Sequence, residues 1–124
     1  MHPPPNISPA EWKVMGLLWS QAPQPAYDLI QALQHTEGWH PNTVRTLLAR
    51  LLKKQAVTAA KYKNLFLYSP AIDEAECIEA ESDCFLDRVF GGAVKPMLLH
   101  FARRRKLSRK DLDELRRILD AGEN

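Results

Sequence analysis

The chain has 124 residues, 45% apolar and 26% charged, which describes a folded protein of one domain, or a small domain with an appendage, and excludes a disordered chain. No apolar run approaches the ~20 residues that span a bilayer, and the opening MHPPPNISP has neither the basic nor the apolar stretch of a secretory signal, so a cytoplasmic protein is expected. Two cysteines, Cys77 and Cys84, are too few for a secreted disulfide framework.

The net charge of +2 conceals an asymmetry. Up to Pro70 there are seven basic and three acidic residues, a net +4; beyond it ten basic and twelve acidic, a net −2. From Gly38 to Ile72 there are six cations and no carboxylate, whereas Asp73 to Asp87 holds seven carboxylates and no cation. That division suits a polyanion-binding N-terminal part joined to something else.

Three successive prolines suggest a short extended lead-in. Ser8 can then cap a first helix, with Pro9 at its first position and Glu11 completing a capping box. Ile7 and Trp12 stand where a hydrophobic staple needs them; Val14, Met15, Leu18 and Trp19 make the buried stripe, and Ala22-Pro23 ends the helix. A second helix is predicted from Pro25, with Tyr27, Leu29, Ile30 and Leu33 inward and Gly38 as its stop. Pro41 opens a third, whose Val44, Leu47, Leu48, Leu51 and Leu52 recur at helical spacing as a core face. The period then changes to two: Val57 to Tyr62 and Leu65 to Tyr68 read as strands of a hairpin turning at Lys63-Asn64, where Asn64 tolerates the positive φ such a turn demands.

Beyond the hairpin the pattern is helical again. Asp73 and Glu76 repeat the capping-box spacing, and a stripe including Cys77, Ile78, Cys84, Phe85, Val89 and Phe90 runs to Gly91-Gly92. Val94 to Ala102 is a short amphipathic piece with Met97, Leu98 and Phe101 together. Ser108 and Asp111 cap a last helix whose face is Leu112, Leu115, Ile118 and Leu119. Three such helices cannot easily enclose a core, and burial worth ~1.5–3 kcal/mol per large apolar side chain is collected only if a partner covers the stripes. A second copy of the chain is the natural partner, with Ile78, Phe85, Val89, Met97, Leu98, Leu112, Leu115 and Leu119 as dimerisation residues. The expected fold is mostly α with a small β-hairpin wing: a winged helix-turn-helix domain over 1–70 and a C-terminal helical dimerisation region over 71–124.

The polar face of the third helix fits double-stranded DNA. Asn42, Thr43, Arg45 and Thr46 lie near its N-terminus, where base edges are read in a major groove. Arg50, Lys53 and Lys54, with Lys61 and Lys63 on the wing, supply cations for phosphates. An ordinary solvated face would mix both signs of charge; this one lacks carboxylates altogether. The same uniformity disfavours the alternative of a winged helix that binds protein. A metal- or thiol-responsive protein is the other alternative, but His2, His35, His40, His100, Cys77 and Cys84 form no tight ligand pair, so no metal site is predicted and the cysteines are read as packed and inert. Seven apart on one helix, the two sulfurs would stand ~10 Å apart, too far to bond to each other, which leaves core packing or a bond between two chains. Gly-rich phosphate loops, His-Glu-x-x-His and Gly-x-Ser-x-Gly are missing, so no enzyme, cofactor or small-molecule ligand is expected. The acidic run has the spacing of an exposed helix face, and Arg103 to Lys106 either complement a helix dipole or form a protease-accessible linker.

Ile7 to Met15, Thr43 to Lys54, the wing ending Tyr68-Ser69-Pro70, and Phe85 to Gly92 resemble the penicillinase repressor family, the BlaI/MecI type, over nearly the whole chain. The resemblance implies a homodimeric transcriptional repressor on a dyad-symmetric operator upstream of β-lactamase or related genes. It also implies inactivation by proteolysis, triggered by a membrane sensor metalloprotease, at a bond that falls at His100-Phe101. Phe101 keeps the family's pattern, and His100 stands where that pattern has Asn. Copper-responsive relatives carry a cysteine-rich tail, and no cysteine follows Cys84 here.

Overall fold

A computed structural model describes residues 4–122. His2 and the first of the three prolines lie outside the described residues. In chain order the elements are α1 (Pro9–Ser20), β1 (Gln24–Pro25), α2 (Ala26–Glu37), α3 (Pro41–Lys53), β2 (Val57–Tyr62), β3 (Leu65–Pro70), α4 (Glu74–Phe90), α5 (Val94–Arg103) and α6 (Arg109–Gly122). They form two compact units, one reaching to Ala80 and the other beginning at Glu81, so the division falls inside α4. Among the described residues no helix is long and apolar enough to cross a membrane.

The first unit is built by the local signals of its sequence. The Glu11 N–H donates to the Ser8 hydroxyl at 3.2 Å, and the Ser8 N–H donates to Glu11 Oε1 at 2.8 Å, closing the expected capping box. α2 stops at Gly38, whose φ of 71° puts it in the left-handed region that glycine adopts without a Cβ clash. At α3 the His40 imidazole Nδ1 accepts from the Asn42 N–H at 3.0 Å, an N-cap that the sequence reading did not foresee.

These helices share one core. Ile7, Val14, Met15 and Leu18 meet Leu29, Ile30 and Leu33 from α2, then Val44, Leu47, Leu48 and Leu51 from α3. Ala56 and Val57 tie the base of the wing to it. The Trp12 and Trp19 rings meet edge to face at 5.3 Å, and the Trp19 indole N–H donates to the Ile72 carbonyl at 3.1 Å.

Several expectations are corrected. α1 ends at Ser20, before Ala22-Pro23, as Gln21 turns extended. Tyr27 is 67% exposed, because it lies at the edge of the arc that Leu29, Ile30 and Leu33 define. Leu52 sits at the edge of the α3 face for the same reason and is 36% exposed. The wing is part of a three-stranded antiparallel sheet in the order β1-β3-β2, with Gln24 opposite Tyr68 and Pro25 opposite Leu67. The turn residue with positive φ is Lys63, at 58°, since the first position of a two-residue hairpin turn must be left-handed.

In the second unit α4 stops at Gly91 and Gly92, with φ of 59° and 84°. The Gly92 N–H reaches back to the Leu86 carbonyl at 3.1 Å. α6 repeats the grammar of α1: Ser108 and Asp111 exchange side-chain and backbone hydrogen bonds, both at 3.0 Å. From Glu81 onward no described residue is buried.

Candidate nucleic-acid interface

The expected DNA-facing side chains are all exposed: Asn42, Thr43, Arg45, Thr46, Arg50 and Lys53 on α3, Lys61 on β2 and Lys63 at the wing turn. α3 supplies the positions because its buried residues Val44, Leu47, Leu48 and Leu51 fix which side faces the core. Its opposite side is then committed to solvent or to a ligand. Near the helix N-terminus Arg45 Nη1 donates to Asn42 Oδ1 at 3.0 Å, so two candidate base readers are held together.

Lys54 departs from the expected set. Its ammonium donates to Glu11 Oε1 and, at 2.8 Å, to the Asn6 carbonyl, which takes it from the cations expected to meet phosphates. Glu11 is 1% exposed. Burial pushes its carboxyl up, but the Lys54 and Ser8 hydrogen bonds and the Lys54 charge outweigh this and hold it below its ordinary value. The pair fastens the C-terminal end of α3 to the start of α1. Nothing local in the sequence marks two residues 43 positions apart as partners.

The expected dimerisation residues all lie on α4, α5 and α6. Ile78, Val89, Leu112 and Leu119 are exposed, and Phe85, Met97, Leu98 and Leu115 are half-buried. Between α5 and α6 runs an apolar groove of about 920 Å³, lined among others by Val94, Leu98, Leu99, Leu107, Leu112, Leu115 and Leu119. Val94, Leu99 and Leu107 were not among the expected dimerisation residues, although their apolar character is visible in the sequence.

Cys77 is buried and Cys84 exposed, so only one of the two fits the packed reading. Burial, then the Glu76 and Asp73 carboxylates, push the Cys77 thiol up, which makes it a poor nucleophile. Among the described residues no three His, Cys, Asp or Glu side chains gather as metal ligands would. His100 and Phe101 lie inside α5, their rings 5.4 Å apart, and the Phe90 ring stands 6.4 Å from His100.

The penicillinase repressor family model matches residues 7–121. The chain belongs to the penicillinase repressor family. Its members are non-enzymatic, DNA-binding transcriptional repressors. The chain is 38% identical over 120 residues to the penicillinase repressor of Bacillus licheniformis, covering 97% of this chain and 94% of that one. It is 33% identical over 115 residues to the methicillin resistance regulatory protein MecI of Staphylococcus aureus strain N315, covering 93% and 94%. Among solved structures, the DNA-binding domain of the repressor BlaI matches with a TM-score of 0.55 and 38% identity, over 61% of this chain and 93% of that one. The B. licheniformis BlaI monomer in complex with the blaP half-operator matches with the same TM-score, identity and coverage. These likenesses agree with a mostly helical fold that carries a small antiparallel wing.

Proposed function

We propose that the chain is a cytoplasmic homodimeric repressor whose residues 1–70 bind one half of a dyad-symmetric operator and whose residues 71–124 join two copies. Asn42, Thr43, Arg45 and Thr46 read bases, while Arg50, Lys53, Lys61 and Lys63 hold phosphates. The observation that carries this reading is the exposed face of α3 within a stretch, Gly38 to Ile72, that holds six cations and no carboxylate. The solved BlaI monomer bound to a half-operator supports it. The regulated genes in this reading are β-lactamase genes or related ones, as the names of the relatives suggest.

Release from DNA follows cleavage at His100-Phe101 by the action of a membrane sensor metalloprotease. That bond is helical in α5, and a protease cleft accepts extended chain, so cutting requires α5 to open locally first.

Replacing Arg50 by Ala is expected to weaken binding to every duplex and to flatten the slope of log K against log salt by about 0.9. Replacing Arg45 by Ala is expected to cost ~1–3 kcal/mol of preference for the operator over random DNA. Titrations of both variants at two salt concentrations check this; equal losses on operator and random DNA for Arg45→Ala would remove it from the base readers.

A further inference from the structure

The wing carries more apolar surface at its tip than phosphate contacts can use. β2 and β3 pair over six rungs, from Val57 opposite Pro70 to Tyr62 opposite Leu65. Val57 is buried and Tyr68 packs against the core, so the base is anchored. At the other end Tyr62 is 60% exposed, and Leu65 and Phe66 are each 55% exposed. Opposite residues share a face and successive rungs alternate. Phe66 therefore stands beside Lys61, and Tyr62 beside Leu65 on the other side. The Lys63 ammonium lies 5.4 Å from the centre of the Tyr62 ring.

Clustered apolar side chains at a protruding tip mark a surface that is covered when the protein works. The tip's charge selects the cover. With Lys61 and Lys63 on the wing and no carboxylate from Gly38 to Ile72, the fitting occupant is a polyanion. Phosphate alone does not shelter a phenyl ring, but a duplex offers phosphates along a groove and apolar sugar and base surface on its floor. The wing has the reach: six residues of strand span ~17 Å from first to last, about half the ~34 Å helical repeat that separates successive major grooves. A minor groove ~6 Å wide is too narrow for a ribbon whose strands alone lie ~4.8 Å apart. Only the tip side chains can enter.

We propose that Phe66 enters the minor groove next to the major groove occupied by α3 and wedges against a base step. Lys61 and Lys63 hold the phosphates on either side. This rests on the DNA-binding reading above.

The test uses the full chain and a duplex that it selects from a random library, with 2-aminopurine replacing adenines one at a time on the wing side. Wild type is expected to raise the 2-aminopurine fluorescence at one step, as unstacking does. Phe66→Ala is expected to abolish that rise and to weaken binding about tenfold while leaving the salt slope unchanged, and Phe66→Trp to restore both. Lys61→Ala is expected to flatten the slope and keep the fluorescence. Because Phe66 is more than half exposed, its thermal melt serves as the folding control. A Phe66→Ala chain that binds as wild type with unchanged fluorescence, or that alters only self-association, overturns the wedge and leaves DNA binding intact. A wild-type chain that selects no duplex overturns the reading beneath it.

Discussion

Glu11 does two local jobs with one carboxylate. Its Oε1 accepts from the Ser8 N–H to start α1 and from Lys54 to fasten the end of α3, while Oε2 finds no partner among the described residues. Its native carboxyl is held below the ordinary value. A depressed native value means the deprotonated form favours folding. The contribution is complete above the unfolded-state value of about 4.3 and is lost as pH falls through the native one. Glu11→Gln is therefore expected to cost ~1.5–3 kcal/mol at pH 7, the range for a hydrogen bond to a charged group. The difference from wild type should shrink as urea melts are taken from pH 6 down to pH 3. A gap that stays constant across that range would show that the charge of Glu11 is not what stabilises the domain.

At the scale of elements, the hairpin sets stability against binding. Lys63 occupies a left-handed conformation, φ 58°, which an L side chain adopts at a cost of roughly 1–2 kcal/mol. Lys63→Gly removes that strain but adds freedom to the unfolded chain, so a net gain of roughly 0.5–1 kcal/mol in folding stability is expected. The same change removes a cation from the wing and should lower the salt slope by about 0.9. Thermal melts and salt titrations on one preparation check both; a variant that is less stable than wild type would mean the turn is not strained. Lys63 also shows where sequence reading stops. Caps, glycine stops and the switch from period 3.6 to period 2 are local signals, and they placed the helices and the hairpin. Asn64 looked like the turn residue because Asn tolerates positive φ, yet the pairing of Tyr62 with Leu65 decides which position is left-handed. β1 escaped notice because its two residues become a strand only by meeting Tyr68 and Leu67. Lys54 was legible as a cation but not as the partner of Glu11, which only the packing of α1 against α3 creates. Leu52 and Tyr27 sit at the margins of correctly read faces, where periodicity does not separate core from rim.

For the whole molecule the second unit poses the larger question, because it is folded into helices without a buried residue among those described. Its stripes on α4, α5 and α6 and the groove between α5 and α6 leave Val89, Leu112, Ile118 and Leu119 about half exposed or more. Covering what remains exposed of each would contribute roughly half of the ~1.5–3 kcal/mol that full burial is worth, which favours two copies closing on one another. In the proposed dimer the interface would control operator affinity by effective concentration: once one half binds, the second engages as an intramolecular event, worth roughly 10²–10⁴-fold in avidity. Leu115→Asp places a charge in the groove and leaves every residue of the first unit unchanged. It is expected to yield a monomer in sedimentation and to lose roughly 10²–10⁴ in affinity for the full operator, with half-site affinity unchanged. Ending the chain at His100 is expected to do the same, since it removes α6 and the last turn of α5. The pair separates explanations that either alone confounds: the truncation mimics the proposed cut, and the substitution keeps the chain whole. If the truncated chain still dimerises and holds the operator tightly, cleavage at His100-Phe101 cannot be the release step. If Leu115→Asp stays dimeric, the α5–α6 groove is not where the copies meet.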